Sequence, residues 1–377
     1  MSHTCRLGEP APLSLKIAQV CPYDWSVPGG VRTHVIGLSS ALERTGATVQ
    51  IVAPASGPEP GIFVAGRPFP VPANGSVARI CFSRSASRRL SRMIEREGFD
   101  LLHLHEPAIP SISLLSLWAS GSTPIVGTFH ASASRSFGYL VAGPILDRSL
   151  RRLGSRITVS TSARALISRY FDASYHLIPN GIDTTPFGDV RPDAAAAEMK
   201  PFVLFFGRPE PRKGFPVLLE AMEHVRRAIP KVVLALNGEP PSGVPEWVRG
   251  LGKVTDARKP SVFAAADVFC SPSTEGESFG YVLVEAMAAG VPVVASALQG
   301  HIEAAGGAAL LARPSDAKNL AGKIIEVLQN PEVSRDLAAK GRQRAGELDW
   351  KTLVPEIIRA YSEAAPRRMM NLPKKED

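Results

Sequence analysis

Glu277 and Glu285 stand eight residues apart in "TEGESFGYVLVEAMAAGVPVVAS" (274–296), with almost only apolar side chains between them. A helix beginning near Phe279 places Glu277 just before its first turn and Glu285 nearly two turns in. At the rise of an α-helix the two carboxylates are roughly 12 Å apart. A glycosidase pair is closer, at about 5–9.5 Å. The longer span matches the two hydroxyl-bearing ends of a sugar nucleotide. A hexose would lie at one carboxylate and a ribose at the other, with a diphosphate between them on the free N–H groups of the helix start. The plain alternative has Glu277 capping the helix and Glu285 facing solvent. The apolar surroundings of Glu285 argue against its second half.

Cations stand where that diphosphate needs them. "FVLFFG" reads as a strand, and "RPEPRKG" follows it. Arg208, Arg212 and Lys213 are three fixed cations at a strand's carboxyl end, where doubly wound sheets bind ligands. Arginine forks bidentately onto phosphate oxygens and lysine adds a point charge. A solvated turn is the alternative. "VPGGVRTHV" sets Gly29 and Gly30 between the first strand and its helix, where glycine lets backbone approach a ligand. The spacing is not G-x-G-x-x-G, so a dinucleotide is a weak fit. His130 ends the strand "PIVGTFH" and is either structural or part of a site. His103 and His105 alternate in "LLHLHE" and read as packing residues.

A second group carries charge of another kind. "PANGSVAR" offers Asn74, Ser76 and Arg79. The segment after it carries Arg84, Arg88, Arg92 and Arg96 at four-residue spacing, with Arg89 beside them and Leu90, Met93 and Ile94 on another face. That is a basic amphipathic helix, suited to lying on an anionic membrane with Leu90, Met93 and Ile94 inserted shallowly or, alternatively, to being a solvated surface helix.

The elements that position these residues alternate strand and helix. Strands are expected at 15–20, 48–54, 100–107, 124–130, 156–160 and 175–181. After an aperiodic stretch at 184–201 they restart at 202–207, 231–238, 266–272 and 291–296. This βαβ alternation predicts α/β architecture with parallel doubly wound sheets. At 377 residues the chain is long for one core. The expectation is two Rossmann-like domains facing a cleft, at 1–183 and 184–349, with the terminal segment 350–377 crossing back to the first.

Charge is one-sided. The net +8 of the chain lies wholly in residues 1–180, with 18 Lys+Arg against 10 Asp+Glu, and is absent from 181–377, with 25 against 25. Such a surface calls for phosphate, nucleic acid or anionic lipid. No run reaches the roughly 18 apolar residues of a membrane span, and no basic-then-apolar leader is visible. The four scattered cysteines contain no C-x-x-C pair, which suits a reducing compartment and argues against structural zinc.

"GESFGYVLVEAMAAGVPVVAS" resembles the E-x7-E region of the retaining glycosyltransferases of family 4, which have the GT-B fold. "GRPEPRKG", "IPNGID" and "VPGGV" are similar to other marks of that family, so the likeness runs over nearly the whole chain. Within it, "VCPYDWSVPGGV", "NGSVAR", "HLHEP", "TFH" and "EPRKG" look like the members that move mannose from GDP-mannose to the inositol of phosphatidylinositol. The resemblance implies that Arg208, Arg212 and Lys213 hold the donor diphosphate. Glu277 would hold the hexose with Ser278, Phe279, Gly280 and Tyr281, and Glu285 the ribose. Val254, Asp256 and Lys259 would lie by the nucleobase, Gly30 at the phosphates and His130 at the reaction centre. Tyr23, Asn74, Ser76, Arg79 and Arg135 would meet the acceptor head group. Arg32 and Ala73, which stand where that branch has glutamine and tyrosine, would meet it too. Arg84, Arg88, Arg89, Arg92 and Arg96 would meet the membrane. No cofactor or metal motif is implied, with Mg2+ at most a stimulator, and no nucleic acid. The implied place of work is the cytoplasmic face of the plasma membrane. Alternatives are a family member with another donor or a soluble acceptor such as inositol phosphate, a sugar-nucleotide epimerase or hydrolase, and a nucleotide-sugar-binding membrane protein without turnover.

Overall fold

A computed structural model describes residues 14–73, 76–131, 137–275, 277 and 279–366, without the side chains at 72, 73, 76, 137, 138 and 141. The chain forms two units. One comprises the described residues of Met1–Gly181 and Leu353–Asp377, the other Ile182–Thr352.

The first unit holds, among the described residues, a seven-stranded sheet. Its first strands are β1 (Lys16–Val20), β2 (Thr48–Ala53) and β3 (Ile62–Val64). A hairpin, β4 (Phe69–Ala73) and β5 (Ser76–Ile80), stands outside it. The sheet continues with β6 (Leu101–His105), β7 (Ile125–Phe129), β8 (Ser155–Thr158) and β9 (His176–Leu177), in the order β3-β2-β1-β6-β7-β8-β9. Every pairing within it is parallel. β6 and β7 are buried throughout, which explains their near-continuous apolar runs.

The second unit holds β10 (Phe202–Phe205), β11 (Val233–Leu236), β12 (Val248–Gly250), β13 (Val268–Ser271), β14 (Val293–Ser296) and β15 (Leu310–Ala312). They pair in parallel in the order β12-β11-β10-β13-β14-β15. Alternation along β10 sends Phe202 and Leu204 into one core cluster, and Val203 and Phe205 into another.

The passages between the units run side by side. Ile182 N donates to Leu348 O at 2.9 Å, and Trp350 N donates to Ile182 O at 3.0 Å. From Leu353 onward the helix Trp350–Ala364 belongs to the first unit. A Cβ at Gly154 would lie 2.8 Å from Ala364 Cα, so glycine admits the helix there.

The basic helix Arg84–Glu97 is capped by Ser83 Oγ, which accepts from Ala86 N at 3.1 Å, and ends at Gly98 in the left-handed region. Arg84, Arg88, Arg89, Arg92 and Arg96 are exposed. Its apolar side corrects the sequence reading. Leu90, Met93 and Ile94 are buried in the first unit's core with Ala86, and do not face outward for insertion into a bilayer. The same stripe serves a helix that covers its own sheet and one that lies on lipid.

Candidate functional site

In the second unit the strand order reverses between β10 and β13. Loops leaving such strands part at their carboxyl ends and open a ligand site. The β10 loop carries Arg208 and turns through Pro211–Lys213, and the β13 loop carries Ser273 and Glu277. Lys213 Nζ lies 2.6 Å from Glu277 Oε2, and Ser273 Oγ donates to the same oxygen at 3.3 Å. Thr274 N donates to Arg212 O at 3.0 Å, stitching the loops together. Gly214 allows this approach: its φ is 72°, and a Cβ there would lie 1.9 Å from Pro272 O. Arg208 is not a fixed cation. Its side chain is 80% exposed and meets Glu210 Oε1 at 3.1 Å. Arg212 is half-buried.

The helix that carries Glu285 spans Tyr281–Ala288, starting two residues later than expected. Gly280 precedes it with no side-chain cap, so no capping side chain occupies its first N–H groups. Phe279 is a core residue, packed edge-on against Tyr281 at 5.0 Å. Beneath Gly280 lies His301, which donates from Nδ1 to Ser296 O at 2.9 Å and meets Ser271 Oγ at 3.2 Å through Nε2. Sequence reasoning missed it.

Glu285 and Lys259 meet as an ion pair at 2.6 Å, and the Lys259 ammonium also lies over the Phe206 ring. Burial pushes the Glu285 carboxyl up, against the pull of Lys259. Lys259 therefore belongs with Glu285, and Asp256 is exposed beside them. Val254 N donates to Asn237 Oδ1 at 3.2 Å. The Tyr281 hydroxyl is buried without a partner.

In the first unit the strand order reverses between β1 and β6. Tyr23 and Asp24 follow β1, Glu106 follows β6 and His130 follows β7. Arg79 donates from Nε to the buried Asp24 carboxylate at 2.7 Å, so its charge already has a counter-ion. The Arg32 guanidinium lies over the Trp25 ring at 5.2 Å. Gly29 is extended at φ −170°, and a Cβ there would meet nothing within 4 Å, so the fold itself does not demand glycine. Gly30 opens the helix Gly30–Glu43. Glu106, another residue missed from sequence, has a left-handed φ of 51°. Its Oε1 accepts from the N–H groups of His130 and Ala131, at 2.5 Å each, while Oε2 is buried without a partner. Burial raises its carboxyl to about 7, outweighing those two donors.

His130 is buried against His34 and His105. Burial lowers His34 to about 4 and holds His105 and His130 well below the usual imidazole range, so all three are neutral near pH 7. Their nearest ring nitrogens lie within 4.8 Å of one another, which makes them a grouping with metal-ligand spacing among the described residues. Imidazoles suit zinc-like ions, whereas Mg2+ prefers oxygen. Asn74, Arg135 and Ser278 lie outside the described residues, as do the side chains of Ala73 and Ser76.

The sequence profile of Glycosyltransferase Family 4 matches residues 28–186, and that of Glycosyl transferases group 1 matches residues 187–344. The chain is 38% identical to the phosphatidyl-myo-inositol mannosyltransferase of Mycolicibacterium smegmatis, over 92% of this chain and 93% of that protein. It is 34% identical to the phosphatidyl-myo-inositol mannosyltransferase of Propionibacterium freudenreichii, over 93% and 95%. The D-inositol 3-phosphate glycosyltransferase of Xylanimonas cellulosilytica is 26% identical, over 90% and 93%. A glycosyltransferase from Rickettsia africae superposes with a TM-score of 0.73 at 16% identity, over 95% of this chain and 99% of that one. Anabaena HepE, solved with UDP and glucose, superposes with a TM-score of 0.67 at 19% identity, over 92% and 99%. With two parallel Rossmann-like sheets, a charged pair at the switch point of the second and this likeness along nearly its whole length, the chain belongs to the phosphatidyl-myo-inositol mannosyltransferase family, glycosyltransferases of family 4 with the GT-B fold.

Proposed function

We propose that this protein moves mannose from GDP-mannose to the inositol of phosphatidylinositol, with retention at the anomeric carbon, on the cytoplasmic face of an anionic membrane. The observation that carries the reading is the Lys213–Glu277 pair at the switch point of the second unit. It sets a cation suited to phosphate beside a carboxylate suited to sugar hydroxyls. The 38% identity to a phosphatidyl-myo-inositol mannosyltransferase supports mannose as the sugar and phosphatidylinositol as the acceptor.

In this reading the second unit binds the donor. Lys213 and Arg212 meet the diphosphate, and Arg208, exposed in this structure, swings onto it. Glu277 receives the mannose hydroxyls, and Glu285 the ribose. The first unit binds the acceptor, with Tyr23 and Arg79 at the inositol phosphate and His130 at the reaction centre. Glu277 is already engaged by Lys213 and Ser273, which leaves it poorly placed as a nucleophile. Retention then follows from front-face substitution. The bond from the anomeric carbon to the phosphate oxygen breaks, and its electron pair leaves with the diphosphate. The inositol oxygen bonds to the anomeric carbon on the same face, and its proton passes to the departing phosphate oxygen. Lys213 stabilises the charge that develops there.

No helix among the described residues is long and apolar enough to cross a membrane. The exposed arginines of Arg84–Glu97 supply electrostatic attachment instead. The test is a panel of radiolabelled sugar nucleotides offered to the enzyme with phosphatidylinositol vesicles or with free D-inositol 3-phosphate. Mannose transfer from GDP-mannose to the lipid, with an α-linked product by NMR, is expected. Transfer from another donor, transfer only to the soluble acceptor, or a β-linked product overturns the corresponding part.

A further inference from the structure

His130 Nε2 lies 3.0 Å from His105 Nδ1, and the contact belongs to a longer buried chain. His105 Nε2 lies 2.8 Å from Gln19 Oε1. Gln19 Nε2 donates to the Tyr361 hydroxyl at 3.2 Å. That hydroxyl is 2.7 Å from His103 Nδ1, and His103 Nε2 is 2.7 Å from Thr128 Oγ1. Gln19, His103, His105 and Tyr361 are wholly buried. None of them can turn to water for a partner, so each proton must be placed within the chain.

The donors and acceptors follow in order. An amide oxygen only accepts, so His105 Nε2 carries a proton and donates it to Gln19. Neutral His105 then has a lone pair on Nδ1, and His130 Nε2 must be the donor across the 3.0 Å contact. On the other arm Tyr361 accepts from Gln19 and gives its own proton to His103 Nδ1, and His103 Nε2 donates to Thr128. Turning the Gln19 amide over would reverse every one of these bonds. The orientation of a single amide therefore sets the polarity of the five other residues in the chain. Asn180 lies against both His34 and His130, and its side chain favours the protonated ring of each. A proton on His130 Nδ1 would find an acceptor there, but the chain keeps it on the other nitrogen.

We propose that the Tyr361–Gln19–His105 chain holds His130 as the Nε2–H tautomer, leaving Nδ1 as its lone-pair nitrogen. Gln19, His105 and Tyr361 are thus positioning residues that act through His130. Any consequence for mannosyl transfer rests on His130 standing at the reaction centre, as proposed above, whereas the tautomer does not.

The test is side-chain NMR of protein labelled with 15N-histidine, with the His130 signals assigned by their loss in His130→Gln. The expected wild-type spectrum shows a protonated His130 Nε2 and a bare Nδ1. In Gln19→Met the acceptor for His105 Nε2–H is lost. His105 moves its proton to Nδ1, and the His130 proton moves to its own Nδ1. Gln19→Glu keeps an acceptor oxygen and should keep the wild-type pattern. Tyr361→Phe frees the amide to turn and should give a mixture. In folded Gln19→Met, kcat is expected to fall about tenfold or more, with KM for both substrates within about twofold. A wild-type His130 carrying its proton on Nδ1 overturns the proposal. So does an unchanged pattern in both Gln19→Met and Tyr361→Phe. One equivalent of zinc in the purified protein also overturns it, because a metal on His105 Nδ1 and His130 Nε2 would replace their shared proton. A switched tautomer with unchanged kcat upholds the chain and removes His130 from the reaction centre instead.

Discussion

Lys213 and Glu277 touch at 2.6 Å although 64 residues separate them in the chain. They meet because β10 and β13 are neighbours and their loops leave on either side of a reversal in strand order. In the proposed reading Lys213→Ala removes the cation from the departing phosphate, and it leaves Glu277 without its counter-charge. The expected result is a fall in kcat of about 10²–10³, the scale for losing one transition-state donor. Steady-state transfer with saturating donor checks it, and wild-type turnover would remove Lys213 from the diphosphate.

Glu285 is buried with Lys259 in the second unit. In the proposed reading Glu285→Gln removes charged acceptors from the ribose, and it leaves Lys259 without its ion pair. Donor binding, read by calorimetry, should weaken by about tenfold, the scale of one hydrogen bond to a charged group. The rate at saturating donor should change less, because the ribose is remote from the bond that breaks. An unchanged donor affinity would move Glu285 out of the site.

Glu106 gives a pH signature. Its folded pKa is raised from 4.5 to about 7 by burial. A raised carboxylate contributes stability that is fully present below the unfolded pKa and is lost as pH rises through the folded pKa. Ionisation of Glu106 should therefore destabilise the first unit between pH 4.5 and about 7, by up to about 3 kcal/mol. Glu106→Gln cannot ionise. Urea unfolding at pH 5 and pH 8 should show the variant gaining on the wild type at the higher pH. A constant difference between the two pH values would contradict the raised pKa.

The helix Arg84–Glu97 separates charge from packing. Changing Arg88, Arg89 and Arg92 to serine should weaken binding to anionic vesicles by about 3 kcal/mol, near one per arginine. Melting temperature should stay nearly unchanged, since all three are exposed. Leu90→Ala should do the reverse, because Leu90 is fully buried. It should cost about 2–5 kcal/mol of stability, with vesicle binding intact in the folded fraction. Salt should release the wild type from vesicles. Selective loss of vesicle binding in Leu90→Ala would restore the insertion model.

Much of the fold was legible because parallel strands buried on both faces read as unbroken apolar runs. "FVLFFG" and "PIVGTFH" announce β10 and β7 in this way. Glu277, Glu285 and Lys213 were legible because charge at a strand end or in an apolar helix is conspicuous. Lys259 was singled out through the family resemblance as a candidate site residue but not as the partner of Glu285, since that pair joins segments 26 residues apart in sequence. The buried polar groups were harder. "LLHLHE" puts His103 and His105 on one face of β6, and Gln19 interrupts an apolar strand, so each carried a signal. What was hidden is that Tyr361 comes back to meet them. The hydrophobic side of Arg84–Glu97 was misread because periodicity identifies an apolar stripe without naming what covers it.

Gln19 and Tyr361 are 342 residues apart in sequence, yet they share one hydrogen bond inside the first unit. On a translating ribosome β1 is among the first strands made, while the helix Trp350–Ala364 emerges only after all of the second unit. N-terminal units ordinarily complete themselves before the next one is synthesised. Here the earlier unit waits with Gln19 and His103 lacking the hydroxyl that closes their chain. Its last buried face is sealed from the far end of the polypeptide, so a nascent chain stalled anywhere in the second unit carries an unfinished first one.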